Sequence, residues 1–247
     1  MNNKPLISII TVSYNSRKTI SRTIESVLNQ TYTNIEYIII DGLSNDGTIN
    51  IIKEYEKKFN NKNIKYKWVT ERDNGIYDAM NKGIEIATGE IIGIINSDDF
   101  YELTAIENLV YEYNRDESYD VYHGIVKYYD NNKLTMIRAS NEVSLKKHMI
   151  EHPGCFVKKD IYREMNNFDC SYKYAADYDF LCKLSENKKK FLLFDKIVAN
   201  FFDGGAGDCL DSAIEAIKIQ KKYGYINRKK FIYKIIKEKL VYFMKGV

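Results

Sequence analysis

Proline is almost absent from this 247-residue chain, with two in all, and no Ser/Gly-rich tract accompanies them. No flexible linker is therefore marked, and one large body, or a compact body with an appendage, is expected. Long apolar runs are missing too. The longest are short pieces such as Ile91-Ile92 and Ile94-Ile95 around Gly93, too short to span a bilayer. Residues 1–5 lead straight into an alternating apolar stretch, without the apolar core and small-residue cleavage site of a secretory signal. The four cysteines, Cys155, Cys170, Cys182 and Cys209, are too scattered for a zinc ribbon and too few for a disulfide scaffold. They read as reduced, mostly buried thiols. His123, His148 and His152 form no HxxxH pair, which argues against a histidine-built metal centre and leaves a cytoplasmic protein as the expectation. Neither GxxxxGK[ST] nor a GxGxxG after the first apolar run occurs, so P-loop hydrolysis and dinucleotide oxidoreduction are disfavoured. The formal charge, 37 basic against 34 acidic residues or +3, does not announce a nucleic-acid binder.

What is present is ordinary globular material, 45% hydrophobic and 29% charged, enough to build a sizeable core. Short β-branched runs at 6–12, 35–40, 64–69 and 90–95 alternate with apolar residues at helical spacing. Four strands separated by three helices predict βαβ crossovers and a mostly parallel sheet with helices on both faces. The second half is less regular. A hairpin is expected over 121–129 and 133–138, helices at 160–165 and from Asp177 through Leu184, and a strand at 191–198. Gly204-Gly205-Ala206-Gly207 then reads as a loop, with helices at 209–223 and 228–244.

Ligands of such sheets bind beyond the carboxyl ends of the strands. Polar residues crowd those positions here: Ser13-Tyr14-Asn15, Asp41-Gly42-Leu43-Ser44, Glu71-Arg72-Asp73 and Asn96-Ser97-Asp98-Asp99. Asp46 and Thr48 read as helix-capping residues. Asp98 and Asp99 read differently, because adjacent carboxylates at the end of a buried strand repel one another without a cation. Oxygen ligands of this kind suit Mn²⁺ or Mg²⁺, with water or phosphate oxygens completing the shell. A cation bridging a diphosphate would neutralise a leaving nucleoside diphosphate. Asp41 could accept hydrogen bonds from a base or ribose.

In order along the chain, Ile9-Ile10-Thr11-Val12-Ser13-Tyr14-Asn15, Ser26-Val27-Leu28-Asn29-Gln30-Thr31-Tyr32, and residues 41–48 resemble family-2 glycosyltransferases of the GT-A fold. So do Gly75-Ile76-Tyr77-Asp78-Ala79-Met80-Asn81-Lys82-Gly83, Ala87-Thr88-Gly89-Glu90, Asn96-Ser97-Asp98-Asp99, His152-Pro153, Phe168-Asp169 and Ala176-Asp177-Tyr178-Asp179. The likeness covers roughly residues 5–205, and its subgroup resembles bacterial polysaccharide-assembly enzymes. It implies a GT-A catalytic domain over 1–205, with a nucleotide-sugar half at about 1–100 and an acceptor half at about 101–205, followed by a helical extension at 206–247. It also implies an inverting, metal-dependent transfer from a nucleoside-diphosphate sugar to a glycan or lipid-linked acceptor. Thr11, Ser13 and Asp41 would line the nucleoside pocket, and Asp98 and Asp99 would hold the metal, Asp98 also contacting the donor. Asp177 would be the general base, while His152 and Asp179 would stand on the acceptor side.

The chain departs from the family pattern in having one carboxylate fewer at Asp41-Gly42, Asn96 at the head of the acidic motif, and Met80 where many members carry arginine. Arg72 and Lys82 are the candidates to supply that charge, with Asn81 beside them on the donor side. Asp177 could instead be a helix cap, Asp179 a structural partner and His152 a packing residue. A nucleotidyltransferase, or a silent nucleotide-sugar-binding subunit, remains as an alternative function.

The near-neutral total conceals an asymmetry. Residues 226–247 hold seven basic side chains against Glu238 alone, a local charge of +6 that leaves −3 for residues 1–225. Phe231, Ile232, Ile235, Ile236, Leu240 and Phe243 recur at helical spacing among them, giving a basic amphipathic helix. Packing on the catalytic body and docking on an anionic membrane, peripheral on its cytoplasmic face, are both open.

Overall fold

Helices cover both faces of the central strands, which is why those strands are buried along their whole length and mostly apolar instead of alternating. β1 (Ile7–Ser13) and β2 (Ile35–Asp41) are buried at every position. In the computed structural model, which describes residues 4–202, 204, 205, 207 and 209–245, β1 pairs in parallel with β2 and with β4 (Ile91–Ile94). β2 pairs with the edge strand β3 (Lys65–Thr70), whose pattern of exposed and half-buried residues explains its weak alternation in sequence. The connections are α1 (Ile20–Leu28), the pair α2 (Thr48–Glu54) and α3 (Glu56–Asn61), and α4 (Ile76–Ile86). The four expected strands thus lie in the order β3-β2-β1-β4.

The less regular half extends the same sheet. After β5 (Phe100–Tyr101) and α5 (Ala105–Arg115) come the hairpin strands β6 (Val121–Asp130) and β7 (Lys133–Arg138), then β8 (Cys155–Lys158) and α6 (Lys159–Glu164). α7 (Ala176–Glu186), β9 (Phe191–Phe202), α8 (Leu210–Lys222) and α9 (Arg228–Lys245) complete the order. β8 lies antiparallel between β4 and β6, so one sheet runs β3-β2-β1-β4-β8-β6-β9-β5, with β7 on β6. At the joint between the halves, a side chain at Gly93 would meet the Phe156 ring and the Tyr101 hydroxyl at 2.8 Å. The hairpin needs no glycine, because Asn131 and Asn132 adopt the left-handed conformation themselves (φ 47° and 62°). β5, β8 and α5 were not among the expected elements. The first two are too short to show a period, whereas α5 does carry Ala105, Ile106, Leu109, Val110 and Tyr113 on one buried face.

Ile10 and Val12 point into one core layer and Ile7 and Ile9 into the other. Ile219 of α8 belongs to the first layer, so a boundary drawn at 205/206 passes through packed core. Beneath the sheet, the buried Glu36 carboxylate accepts from Ser8 Oγ at 2.6 Å, from Gly89 N at 3.1 Å and from both donors of Thr88. Burial pushes its pKa up, but these hydrogen bonds and Lys67 outweigh that and hold it below the usual range. The Ala87-Thr88-Gly89-Glu90 segment is thereby a structural knot at the amino ends of the strands. All four cysteines are free; Cys155 and Cys182 are buried, Cys209 partly so, and Cys170 is exposed.

Candidate active site

The acidic motif follows β4 on the carboxyl rim, and α1 grips its backbone. Thr23 Oγ1 donates to the Asp99 carbonyl at 2.6 Å and Arg22 Nη2 to the Asp98 carbonyl at 2.6 Å. Ser16 and Ser97 join hydroxyls at 2.6 Å. The Arg22 guanidinium stacks 3.8 Å from the Phe202 ring centroid, a fixed cation beside both carboxylates. The two aspartates face different ways. Asp99 is fully buried, and its Oδ1 accepts from Phe202 N at 3.0 Å, tying the motif to the end of β9. Asp98 is partly exposed and lies against the glycine segment, since a side chain on Gly205 would begin 3.7 Å from its Oδ2. Burial raises the Asp98 pKa against the opposing pull of Arg22. The expected loop there is described at Gly204, Gly205 and Gly207, with Ala206 outside the described residues.

A second cluster follows β1 to β3. Asp41 is fully buried and accepts four hydrogen bonds: from Ser13 Oγ (3.0 Å), Ser44 Oγ (2.5 Å), Ser44 N (2.9 Å) and Thr70 Oγ1 (3.0 Å). It therefore braces the loops of three strands. Above it Gly42 lies so close to Asp73 that a side chain would collide with Asp73 Oδ2, with the Tyr14 ring at 3.4 Å. Tyr14 is itself 66% exposed, an aromatic face on the open rim. Asp46 takes its expected local role, accepting from Thr48 N and Thr48 Oγ1.

The third cluster is brought to this rim by α4, which starts directly after the loop leaving β3. Tyr77, one residue into that helix, donates to Asp177 Oδ1 at 2.9 Å. Tyr178 N donates to the same oxygen at 2.8 Å, while Oδ2 accepts from no described residue. Asp177 is partly exposed at the start of α7. The turn before it is clamped by Glu215 of α8, whose carboxylate accepts from the backbone N–H groups of Lys173, Tyr174 and Ala175 at 2.8–3.0 Å. His152 is buried with its ring edge on Phe168. Burial lowers its pKa against the influence of Asp177, which keeps the imidazole neutral.

Several assignments are corrected by this geometry. Thr11 is fully buried and accepts from the Tyr37 hydroxyl at 3.0 Å, so it has no surface to offer a nucleoside. Asn81 is spent on the Phe168 backbone, donating to its carbonyl and accepting from its N–H. Lys82 is engaged by Glu71, Asp78 and the Arg72 carbonyl, whereas the exposed Arg72 side chain pairs with no described residue. Asp179 is buried in an ion pair with Lys222 at 2.6 Å and is structural. Conversely, Arg22, Tyr14, Tyr77 and Glu215 enter the site without having been singled out. Tyr77 lies inside the Gly75–Gly83 motif, but nothing in sequence marks Glu215, 38 positions beyond the aspartate whose turn it holds.

With that site on a GT-A-like sheet, the comparisons are consistent. Residues 8–176 match the family model of Glycosyl transferase family 2, and the chain belongs to that family. The family is one of glycosyltransferases, which speaks against the nucleotidyltransferase alternative. The chondroitin synthase of Escherichia coli is 31% identical over 187 residues, 74% of this chain but 27% of that protein, so the chain spans about a quarter of that relative's length. Staphylococcus aureus TarS 1–349 in complex with UDP-GlcNAc superposes with a TM-score of 0.72 at 17% identity, covering 96% of this chain and 72% of that one. The mannosyltransferase PcManGT of Pyrobaculum calidifontis, in complex with GDP-Man and Mn²⁺, gives 0.70 at 16%, covering 96% and 69%. These likenesses establish the GT-A fold, and the synthase agrees with the polysaccharide-assembly subgroup.

Proposed function

We propose that the protein transfers a sugar from a nucleoside-diphosphate donor to a hydroxyl of a glycan or lipid-linked saccharide in polysaccharide synthesis, with inversion. The observation that carries this is Asp177, whose Oδ1 is fixed by two donors while Oδ2 stays available on the rim that also holds Asp98. Asp177 would take the proton of the acceptor hydroxyl as that oxygen bonds to the anomeric carbon. The bond from that carbon to the diphosphate oxygen breaks, and its electron pair leaves with the nucleoside diphosphate. A positioned base of this kind contributes about 10²–10⁴-fold. His152, buried against the Phe168 ring, would form part of the floor on the acceptor side.

Tyr14, Asp73 and Arg72 are the donor-side groups that reach the surface, while Ser13 and Asp41 hold the loops beneath them. The nucleotide complexes of TarS and PcManGT support a nucleotide-sugar donor at this rim. Among the described residues no group of three or more His, Cys, Asp or Glu could hold a metal ion by itself. The site instead fits a cation that arrives with the diphosphate: Asp98 offers a carboxylate, and the buried Asn96 Oδ1 has no hydrogen-bond partner among the described residues. Asp99 serves as anchor in this arrangement, and Asp98 as the contact. When bound, Mn²⁺ or Mg²⁺ would neutralise charge on the diphosphate. Location at the cytoplasmic face of a membrane belongs to the same proposal, since a lipid-linked acceptor resides there.

The test is Asp177→Asn, assayed with a panel of UDP-, GDP- and dTDP-sugars. Nucleotide affinity should persist while transfer falls about 10²-fold or more. Unimpaired transfer would remove Asp177 from the mechanism.

A further inference from the structure

α9 has two apolar faces, and the body of the protein uses one. Phe231, Lys234, Ile235, Glu238, Val241 and Tyr242 are half-buried at helical spacing, and Lys234 Nζ donates to Gln220 of α8 at 2.7 Å. On the opposite side Ile232, Ile236, Leu240 and Phe243 form a second stripe, 47%, 53%, 56% and 83% exposed, with Tyr233 and Met244 beside it. A stripe of that size left in water is unusual for a helix that merely caps a domain. At 100° per residue, Arg228 and Lys239 flank it on one edge, and Lys230 and Lys237 on the other. All four are exposed.

We infer that this outer face of α9 is a docking surface for an anionic lipid bilayer, with the helix lying in the plane of the interface. The charge pattern selects that occupant. A stripe destined for a second copy of this chain would meet its own flanking lysines and arginine across the contact, whereas acidic headgroups pair with both rows. Lysine stems are also long enough to run along the apolar stripe and place their ammonium groups at headgroup level. The helix lies on the membrane without crossing it, as no helix among the described residues is long and apolar enough to span. Since α8 carries Glu215, the same helix pair that holds the turn before Asp177 would present the site to a membrane-borne acceptor. The surface itself does not depend on Asp177 being the base.

The experiment is co-sedimentation of the full chain with vesicles of phosphatidylglycerol and phosphatidylcholine, against phosphatidylcholine alone. Binding is expected to the anionic vesicles and to fall with added salt. Leu240→Glu/Phe243→Glu should abolish it, and Lys237→Glu/Lys239→Glu should weaken it about 10-fold or more, since each basic residue near an anionic surface contributes roughly five-fold. Melting temperature and nucleotide affinity should be unchanged in both variants, which separates this surface from the site. Equal binding to neutral vesicles, or none to either, would overturn the inference. So would an oligomer in light scattering that the Leu240→Glu/Phe243→Glu variant dissolves, because the stripe would then join copies of the chain.

Discussion

Asp98 sits beside a guanidinium and yet keeps a raised pKa, because what it loses in hydration at the sheet end exceeds what Arg22 returns. A carboxyl raised in this way binds its proton more tightly in the folded chain than in the unfolded one. It therefore costs stability progressively as pH rises from the unfolded value through the folded one, and the cost persists above. Asp98→Asn should consequently melt higher than the parent at neutral pH, with the difference closing below about pH 4 as the native carboxyl becomes neutral. The same variant should lose the metal-dependent part of its nucleotide affinity. Thermal scans across pH with and without Mn²⁺ measure both, and a variant that melts lower at neutral pH would mean that Arg22 more than compensates burial. Opposite demands from binding and folding on one side chain are expected where a charge is kept for chemistry.

At the level of elements, α8 does more than cover the core. Glu215 supplies the acceptor for three successive N–H groups in the turn that sets the start of α7. Glu215→Ala would leave that turn without its clamp, at roughly 1–3 kcal/mol for unpaired donors. We expect transfer kcat to fall about 10-fold or more through misplacement of Asp177. Nucleotide affinity should hold, and Glu215→Gln should recover part of the rate through its one remaining acceptor oxygen. Equal losses in Kd and kcat would instead indicate general unfolding of the half. These contacts also explain what was legible beforehand. Parallel strands and their helices follow from local period, so β1 to β4 and α1 to α4 can be read in sequence, apart from the break between α2 and α3. A residue's loop is visible in the same way, which is how Asp98 is found, whereas Asp177 reads as a base only through the family resemblance. Whether a side chain faces solvent is decided by partners far along the chain. Thr11 reads as a pocket residue, yet Tyr37 caps it, and Asn81 reads as a donor-side residue, yet Phe168 occupies it. Glu215 was missed for the same reason.

For the whole molecule, the decisive fact is that the strands of residues 1–100 and most of those that follow form a single sheet. β4 and β8 register through Ile91 with Lys158, Ile92 with Val157, and Gly93 with Phe156. Among the described residues the β4–β8 ladder leaves no hinge between the two parts, so nucleotide binding is expected to adjust the rim loops alone. Small-angle scattering should therefore give the same radius of gyration with and without nucleoside diphosphate and Mn²⁺, and a contraction of several ångström would contradict the shared sheet.

The Gly93–Phe156 joint also bears on how such proteins diversify. Exchanging the second half of the chain between relatives cannot be done by cutting at a tether, because the cut falls between bonded strands. Any side chain at position 93 collides with the ring at 156 and with the Tyr101 hydroxyl, so the two sides of the seam must be inherited as a matched set. Recombinants that break this match should be rare survivors, and variation is more accessible through changes in the loop between α6 and α7 than through shuffling of halves.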